Sequence, residues 1–229
     1  MQQLEVISLA DDSALVNRII NDLTNQVETL LASQNQINIS LTGGRIGGQI
    51  CAKIFDSTLV DNPKVHFWWS DERFLLASDE QRNDFQIPEK LRGLENIHLM
   101  PAADGMDLNT AVAKAESELS SLGQNHLMDI CLLSIGPDGH VASLFPNHSA
   151  LKVNDLVVGI SDSPKPPKFR ITWSLNAINR SNQVWLIANG AEKLSAVSLV
   201  MAGAKDIPAS NVHGLTKTVL YAEKSALLS

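Results

Sequence analysis

The sequence predicts an α/β protein built on a mostly parallel, Rossmann-like doubly wound sheet with helices on both faces. Two observations predict it. Short apolar runs alternate along the chain with segments of helical period, the order from which βαβ units are made. Glycines stand where several of those runs end, at Gly43-Gly44, Gly136 and Gly190, as expected where a buried strand turns sharply into the next segment. At 229 residues the chain can bury a sizeable core, and a single α/β domain over 1–229 is expected.

The elements follow in order. A strand at the amino end leads to Leu15, Val16, Ile19, Ile20, Leu23, Val27, Leu30 and Leu31, whose spacing predicts an amphipathic helix over about 12–33. Ile37, Ile39 and Leu41 alternate as in a strand and run into Thr42-Gly43-Gly44, with a short helix expected over about 46–56. Val65-His66-Phe67-Trp68-Trp69 is β-branched and aromatic, which suits a strand, and a polar loop follows it. Ile97–Met100 is a further strand candidate, ahead of a helix over about 107–122. The apolar run 129–135 predicts a buried strand ending in the turn Gly136-Pro137-Asp138-Gly139-His140, with His140 opening a short helix. Strands are expected at 156–160 and 169–172, on either side of the Pro/Lys-rich loop 161–168, the one segment that suits a mobile flap. Residues 183–188 predict a strand, Gly190 begins a helix to about 202, and Val219-Leu220-Tyr221 closes the sheet.

Composition excludes several classes of function. The formal charge is −7, which argues against nucleic acid or an anionic membrane as partner. No apolar run approaches the roughly 18 residues needed to span a bilayer, and Met1–Ile7 carries no signal-peptide pattern. Cys51 and Cys131 lack metal-ligand spacing and lie in apolar surroundings, as reduced, buried thiols of a cytoplasmic protein do. The four tryptophans are expected in the core.

Four segments can carry chemistry. In the first, Gly43, Gly44 and Arg45 lie between a strand and a helix, where backbone N–H groups and a guanidinium can hold an anion. The spacing matches neither the P-loop nor the dinucleotide fingerprint, so a plain tight turn competes with a phosphate site. In the second, Asp71-Glu72-Arg73 ends the aromatic strand, as a solvated or ion-paired loop or as a cluster facing a sugar. In the third, Asp138 and His140 bring a carboxylate and a base of near-neutral pKa to a strand end, where ligands bind in open α/β sheets. No second His or Cys stands at metal-binding distance along the chain. In the fourth, Arg170 lies in a strand and Lys193 in the first turn of a helix. Each runs against its surroundings unless an anion or partner is near. Ser143 lacks the G-x-S-x-G surroundings of a hydrolase nucleophile.

Together these segments resemble the glucosamine-6-phosphate isomerase/6-phosphogluconolactonase family, over about residues 37–221. Gly136–Pro146 matches its lactonase signature almost residue for residue, and Asp71-Glu72-Arg73, Arg82-Asn83, Pro166-Pro167-x-x-Arg170-Ile171-Thr172, Gly190-x-x-Lys193 and Pro208-Ala209-Ser210 match further motifs. Many relatives carry Ser-Gly-Gly-Ser-Thr-Pro in the phosphate loop. Here Thr42-Gly43-Gly44-Arg45-Ile46-Gly47 keeps the glycines and loses the hydroxyl pair. The deaminase branch continues after its His with Ile-Ala-Phe-Asn-Glu-Pro, whereas this chain continues Val141-Ala142-Ser143-Leu144-Phe145-Pro146 and lacks that Glu.

The resemblance implies hydrolysis of 6-phospho-D-glucono-1,5-lactone in the oxidative pentose phosphate pathway. It implies His140 as general base, with Asp138 orienting it or only holding the bend. Asp71 and Arg73 would order the pocket or contact the sugar. Gly43, Gly44, Arg45, Arg170 and Lys193 would hold the phosphate. It calls for no metal and no organic cofactor, and a cytoplasmic monomer acting on a small phosphorylated lactone is the expectation. The alternatives are an amino-sugar-phosphate deaminase or isomerase, and a non-catalytic sugar-phosphate sensor.

Overall fold

The computed structural model describes residues 4–123 and 125–227. Its main sheet has six strands: β1 (Glu5–Leu9), β2 (Ile37–Leu41), β3 (Val65–Trp69), β5 (Ile130–Ser134), β8 (Gln183–Ala188) and β9 (Lys217–Glu223). They lie in the order β1-β9-β8-β5-β2-β3, and every pairing is parallel. β5 and β8 are near-continuous apolar runs because parallel strands in the middle of such a sheet are covered on both faces. All four tryptophans are buried, and both cysteines are buried and free.

α1 (Asp12–Leu31) starts on Asp11, whose carboxylate accepts the Ala14 N–H, and it buries Leu15, Val16, Ile19, Leu23 and Val27. α2 (Gly44–Phe55) packs beside α1. α3 (Leu108–Ser120) begins on Asp107, α4 (Leu175–Ile178) is a single turn, and α5 (Leu194–Met201) packs with α6 (Lys224–Leu227). Among the described residues no helix is long and apolar enough to cross a membrane.

Four features differ from the sequence-based expectation. First, a second sheet of three antiparallel strands stands beside the main one, in the order β4 (Asp71–Arg73), β7 (Arg170–Trp173), β6 (Val157–Ile160). Asp71-Glu72-Arg73 was expected at a strand end running into a loop, and its charges conceal a strand. Long-range pairing with Thr172, Ile171 and Arg170 creates it, and tertiary pairing overrides local preference in strands. Second, Ile97–Met100 is not a strand. Ile97 makes one parallel bridge to Phe67, His98 N–H donates to Phe67 O at 2.9 Å, and the pairing goes no further; Pro101, which ends the run, has no N–H to extend a ladder.

Third, no helix follows His140. Ala142 has φ 49° and Asn147 has φ 60°, left-handed values that interrupt any helical run. The segment forms a turn at Ala142-Ser143 closed by a bridge between Val141 and Leu144, followed by a second turn at Pro146-Asn147. Fourth, the segment after Gly190 begins as a 3₁₀ turn, Ala191–Lys193, before α5.

Candidate active site

The order of the main sheet reverses between β2 and β5. β3 continues outward from β2, whereas β8 and β9 build in the other direction from β5. The carboxyl ends of β2 and β5 therefore diverge into separate loops, and a ligand crevice is expected there. A cavity of about 290 Å³ occupies this position, at the small end for ligand pockets. The loops after β2, β5 and β8 line it, as do β4, Arg170 and the Lys165-Pro166 segment.

The turn after β5 sets His140 at the cavity wall. Gly136 N–H donates to His140 O (2.8 Å) and Gly139 N–H to Gly136 O (2.9 Å). A β-carbon on Gly136 would lie 1.9 Å from His140 Nδ1, so only glycine lets the imidazole fold back over the strand end. Ala209 N–H donates to Gly139 O at 3.0 Å, so the Pro208–Ser210 turn props this bend.

His140 Nδ1 stands 2.5 Å from Asp138 Oδ1. Asp138 does not line the cavity; it stands behind the imidazole. Burial pushes the Asp138 carboxyl up, but the hydrogen bonds and charges of His140 and Lys165 outweigh that and hold it at about 2. Burial lowers the pKa of His140 below its ordinary value, against the pull of Asp138 and with the help of Lys165. Nε2 has no hydrogen-bond partner among the described residues, which leaves it available to the cavity.

β4 supplies Asp71 and Arg73 to the opposite wall. Buried Ser143 donates from Oγ to Asp71 Oδ2 at 2.6 Å, and its N–H donates to Thr172 Oγ1 at 3.2 Å. This serine is a tie between the segment after His140 and the small sheet. Glu72 points away from the cavity and accepts the N–H groups of Arg73, Asn83 and Asp84 at 2.7–2.9 Å. Arg82 is buried beside it and pairs with Asp84 at 2.5 Å. Asn83 Nδ2 donates to Asp71 O at 2.9 Å. The Arg82-Asn83 motif is thus a scaffold beneath Asp71, with Asn83 itself reaching the cavity. Arg73 Nη1 donates to Gln81 O.

At the end of β2, Thr42 Oγ1 accepts Ser134 N–H (3.0 Å), which ties the two diverging strand ends together. Gly43 is the N-cap of α2 and supplies no side-chain cap. The first N–H groups of this 12-residue helix have no side-chain cap and stand at the cavity edge, a position that suits an anion. Lys193 lines the same cavity, and burial lowers its pKa against the pull of Glu192. A buried ammonium of this kind gains from an anionic ligand.

The two arginines expected on phosphate are largely engaged elsewhere. Arg45 lines the cavity, but its Nη1 pairs with Asp12 Oδ2 at 2.5 Å and 64% of its side chain is exposed. Asp12 also accepts from Asn189 Nδ2 at 3.0 Å. Arg170 donates from Nε to Pro167 O (2.8 Å) and from Nη2 to Pro166 O (2.9 Å) and Lys165 O (3.3 Å). It anchors the Pro-rich loop around the cis Pro166-Pro167 peptide, so that loop is pinned to β7 in this structure.

Sequence reasoning thus gathered Gly43, Gly44, Arg45, Asp71, Arg73, His140, Arg170 and Lys193 at one cavity, with Asp138 in support. It missed Lys165, whose Nζ lies 3.1 Å from Asp138 Oδ1. The signal was a lysine immediately before the Pro166-Pro167-x-x-Arg170 motif, within the Pro-rich loop. Asn189 and Glu192 also line the cavity and carried no signal beyond flanking Gly190.

Comparison with known proteins agrees with this architecture. The model of the glucosamine-6-phosphate isomerases/6-phosphogluconolactonase family matches residues 10–221. The chain is 35% identical to a 6-phosphogluconolactonase of Streptomyces coelicolor, covering 89% of this chain and 86% of that one. It is 34% identical to a 6-phosphogluconolactonase of Mycobacterium leprae, covering 95% and 94%. The crystal structure of a 6-phosphogluconolactonase from Thermotoga maritima superposes with a TM-score of 0.82 at 26% identity, over 96% of this chain and 100% of that one.

Proposed function

The chain belongs to the glucosamine-6-phosphate isomerase/6-phosphogluconolactonase family, and from that membership we propose that it hydrolyses 6-phospho-D-glucono-1,5-lactone to 6-phospho-D-gluconate with His140 as general base. The observation that carries the reading is the placement of His140. Its Nδ1 is engaged by Asp138, and its ring lines the cavity that Gly43, Gly44 and Lys193 also line.

In this mechanism the substrate's phosphate rests on the amino end of α2 and on Lys193, and Arg45 and Arg170 add longer-range positive charge. The lactone carbonyl then faces His140. Neutral Nε2 takes a proton from water as the water oxygen bonds to C1. The tetrahedral oxyanion is met by backbone N–H groups of the glycine turn. The C1–ring-oxygen bond then breaks, the imidazolium returns its proton to the leaving oxygen, and the open-chain acid is released. Asp138 orients the imidazole and stabilises its charged form. Asp71, held by Ser143, and Arg73 order the sugar side of the pocket. In this reading every step is carried by the protein's side chains, its backbone N–H groups and water, with no call for a metal or organic cofactor.

The reading has the chain acting as a cytoplasmic monomer on a small anion, without nucleic acid; the formal charge of −7 supports the last point. An amino-sugar-phosphate deaminase is disfavoured by the stretch after His140, which carries Ser143-Leu144-Phe145-Pro146 where that branch has its Glu. The test is lactone opening on freshly prepared 6-phosphogluconolactone, measured against the spontaneous rate, beside ammonia release from glucosamine 6-phosphate. Acceleration of the first and none of the second is expected; the reverse pattern would overturn the assignment.

A further inference from the structure

His140 meets two charged side chains from different parts of the chain. Asp138 comes from its own turn and Lys165 from the loop ahead of β7. Lys165 Nζ is 3.1 Å from Asp138 Oδ1 and 3.1 Å from His140 Nδ1, and those two atoms are 2.5 Å apart. The lysine's backbone is held on both sides. Its N–H donates to Ser163 Oγ (3.3 Å), Ser163 Oγ donates to Lys165 O (2.8 Å), and Arg170 Nη2 reaches Lys165 O and Pro166 O. The ammonium also stands 5.9 Å from the centre of the Phe145 ring.

So tight a triangle favours one arrangement of protons. Ionised Asp138 only accepts, and a ring with Nδ1 bare would set two acceptors 2.5 Å apart. Nδ1 therefore carries a proton and gives it to Asp138. Lys165 gives a second proton to the same oxygen. The approach of Nζ to Nδ1 is then two donors sharing one acceptor, and the lone pair of a neutral ring is on Nε2.

We propose that Lys165 is a positioning residue for lactone opening: by donating to Asp138 beside the imidazole, it keeps His140 uncharged with Nε2 bare until water is presented. The proposal rests on the reading of His140 as the base.

The charges around the ring show why such a residue is useful. Asp138 on the turn and Asp71 on β4 both favour the imidazolium, whereas Lys165 and burial oppose it. Lys193 and Glu192 line the cavity from the loop after β8, as do Arg73 from β4 and Arg170 from β7. Asp138 and Asp71 both pull towards the imidazolium, and a protonated base cannot accept from water. Burial is the larger counterweight, and the adjacent ammonium adds to it while Asp138 keeps its orienting hydrogen bond. A general base works best with its pKa near the working pH.

The experiment compares wild type with Lys165→Met and Lys165→Arg. His140 titration is followed by imidazole NMR, and kcat and KM are measured across pH on 6-phosphogluconolactone. In Lys165→Met the His140 pKa is expected to rise by roughly 1–3 units, the acid limb of kcat/KM to move up with it, and kcat at neutral pH to fall. Lys165→Arg keeps the cation and should return both towards wild type, which separates loss of charge from damage to the loop. An unmoved His140 titration with a change confined to KM would make Lys165 a substrate ligand and overturn the proposal. A titration that moves while the acid limb stays put would support the Lys165–His140 coupling but overturn His140 as the base.

Discussion

A β-carbon on Gly43 would lie 2.2 Å from Asn83 Oδ1. The loop after β2 and the scaffold beneath β4 therefore touch with no space for a side chain between them. Since Asn83 also holds Asp71 O, the contact joins the cavity edge formed by the loop after β2 to the wall formed by β4.

Gly43→Ala should push these two walls apart. Overpacking of this kind costs about 1–3 kcal/mol, and KM for the phosphorylated lactone should rise with it. Asn83→Ala alone should weaken the hold on Asp71. The double variant, in which the clashing amide is absent, should be more stable than the sum of the single effects. A double-mutant cycle by denaturant unfolding checks this, and strict additivity would contradict the contact.

His140→Gln should lower kcat by about 10²–10⁴-fold while leaving the affinity for 6-phosphogluconate nearly unchanged. In the wild type, burial holds the His140 pKa below its usual 6.5. The base is active when neutral, so kcat/KM should be level at neutral pH and fall on acidification through a midpoint below pH 6.5. Turnover by His140→Gln close to wild type would remove the residue from the mechanism.

Lys193 and Arg45 should separate cleanly. Lys193 is partly buried at the cavity, and in the proposed reading its desolvated charge meets the substrate's phosphate. A hydrogen bond to a charged group is worth about 1.5–3 kcal/mol, so Lys193→Ala should raise KM about 10- to 100-fold. Arg45 is exposed and already paired with Asp12, and surface pairs contribute about 0–1 kcal/mol. Arg45→Ala should change KM no more than about fivefold. Steady-state kinetics and inorganic phosphate inhibition of the two variants decide the ranking.

Stability should carry a histidine signature away from the active site. The His98 ring stacks on Trp68 with centroids 3.7 Å apart, and its Nε2 lies 2.8 Å from His66 Nδ1. Burial, with His66 beside it, pushes the His98 pKa down to about 4 from 6.5. The unfolded chain then binds the extra proton first, so this contribution is complete above pH 6.5 and is lost as pH falls from 6.5 towards 4. The Tm of the wild type should drop across that window, and that of His98→Phe should drop less. Equal slopes from calorimetry would contradict the assignment.

Much of the site was legible because its chemistry is local in the sequence. Gly136–His140 carries its own bend: Gly136 admits the imidazole, and Gly139 at φ 82° takes the left-handed turn. The parallel strands were legible for a similar reason, since β5 and β8 are short apolar runs that advertise burial on both faces. β4 was not, because Asp71-Glu72-Arg73 looks like a solvated loop until the Glu72 carboxylate is seen gathering three backbone N–H groups. The one-rung bridge at Ile97 shows the converse: a locally good strand pattern yields no strand when its pairing with β3 ends after one rung.

The sequence by itself determined the α/β class, the Gly136–His140 turn and the family, because periodicity, glycine placement and contiguous motifs depend on neighbours in the chain. Only the tertiary structure decided how the cations are used. It paired Arg45 with Asp12, bound Arg170 to the carbonyls of its own loop, and left Lys193 facing the cavity. It also brought Lys165 onto Asp138, 27 residues away. The physical reason is that a charged side chain acts on whatever lies within a few ångströms of its end. For a long lysine or arginine, that neighbour is set by the packing of distant segments.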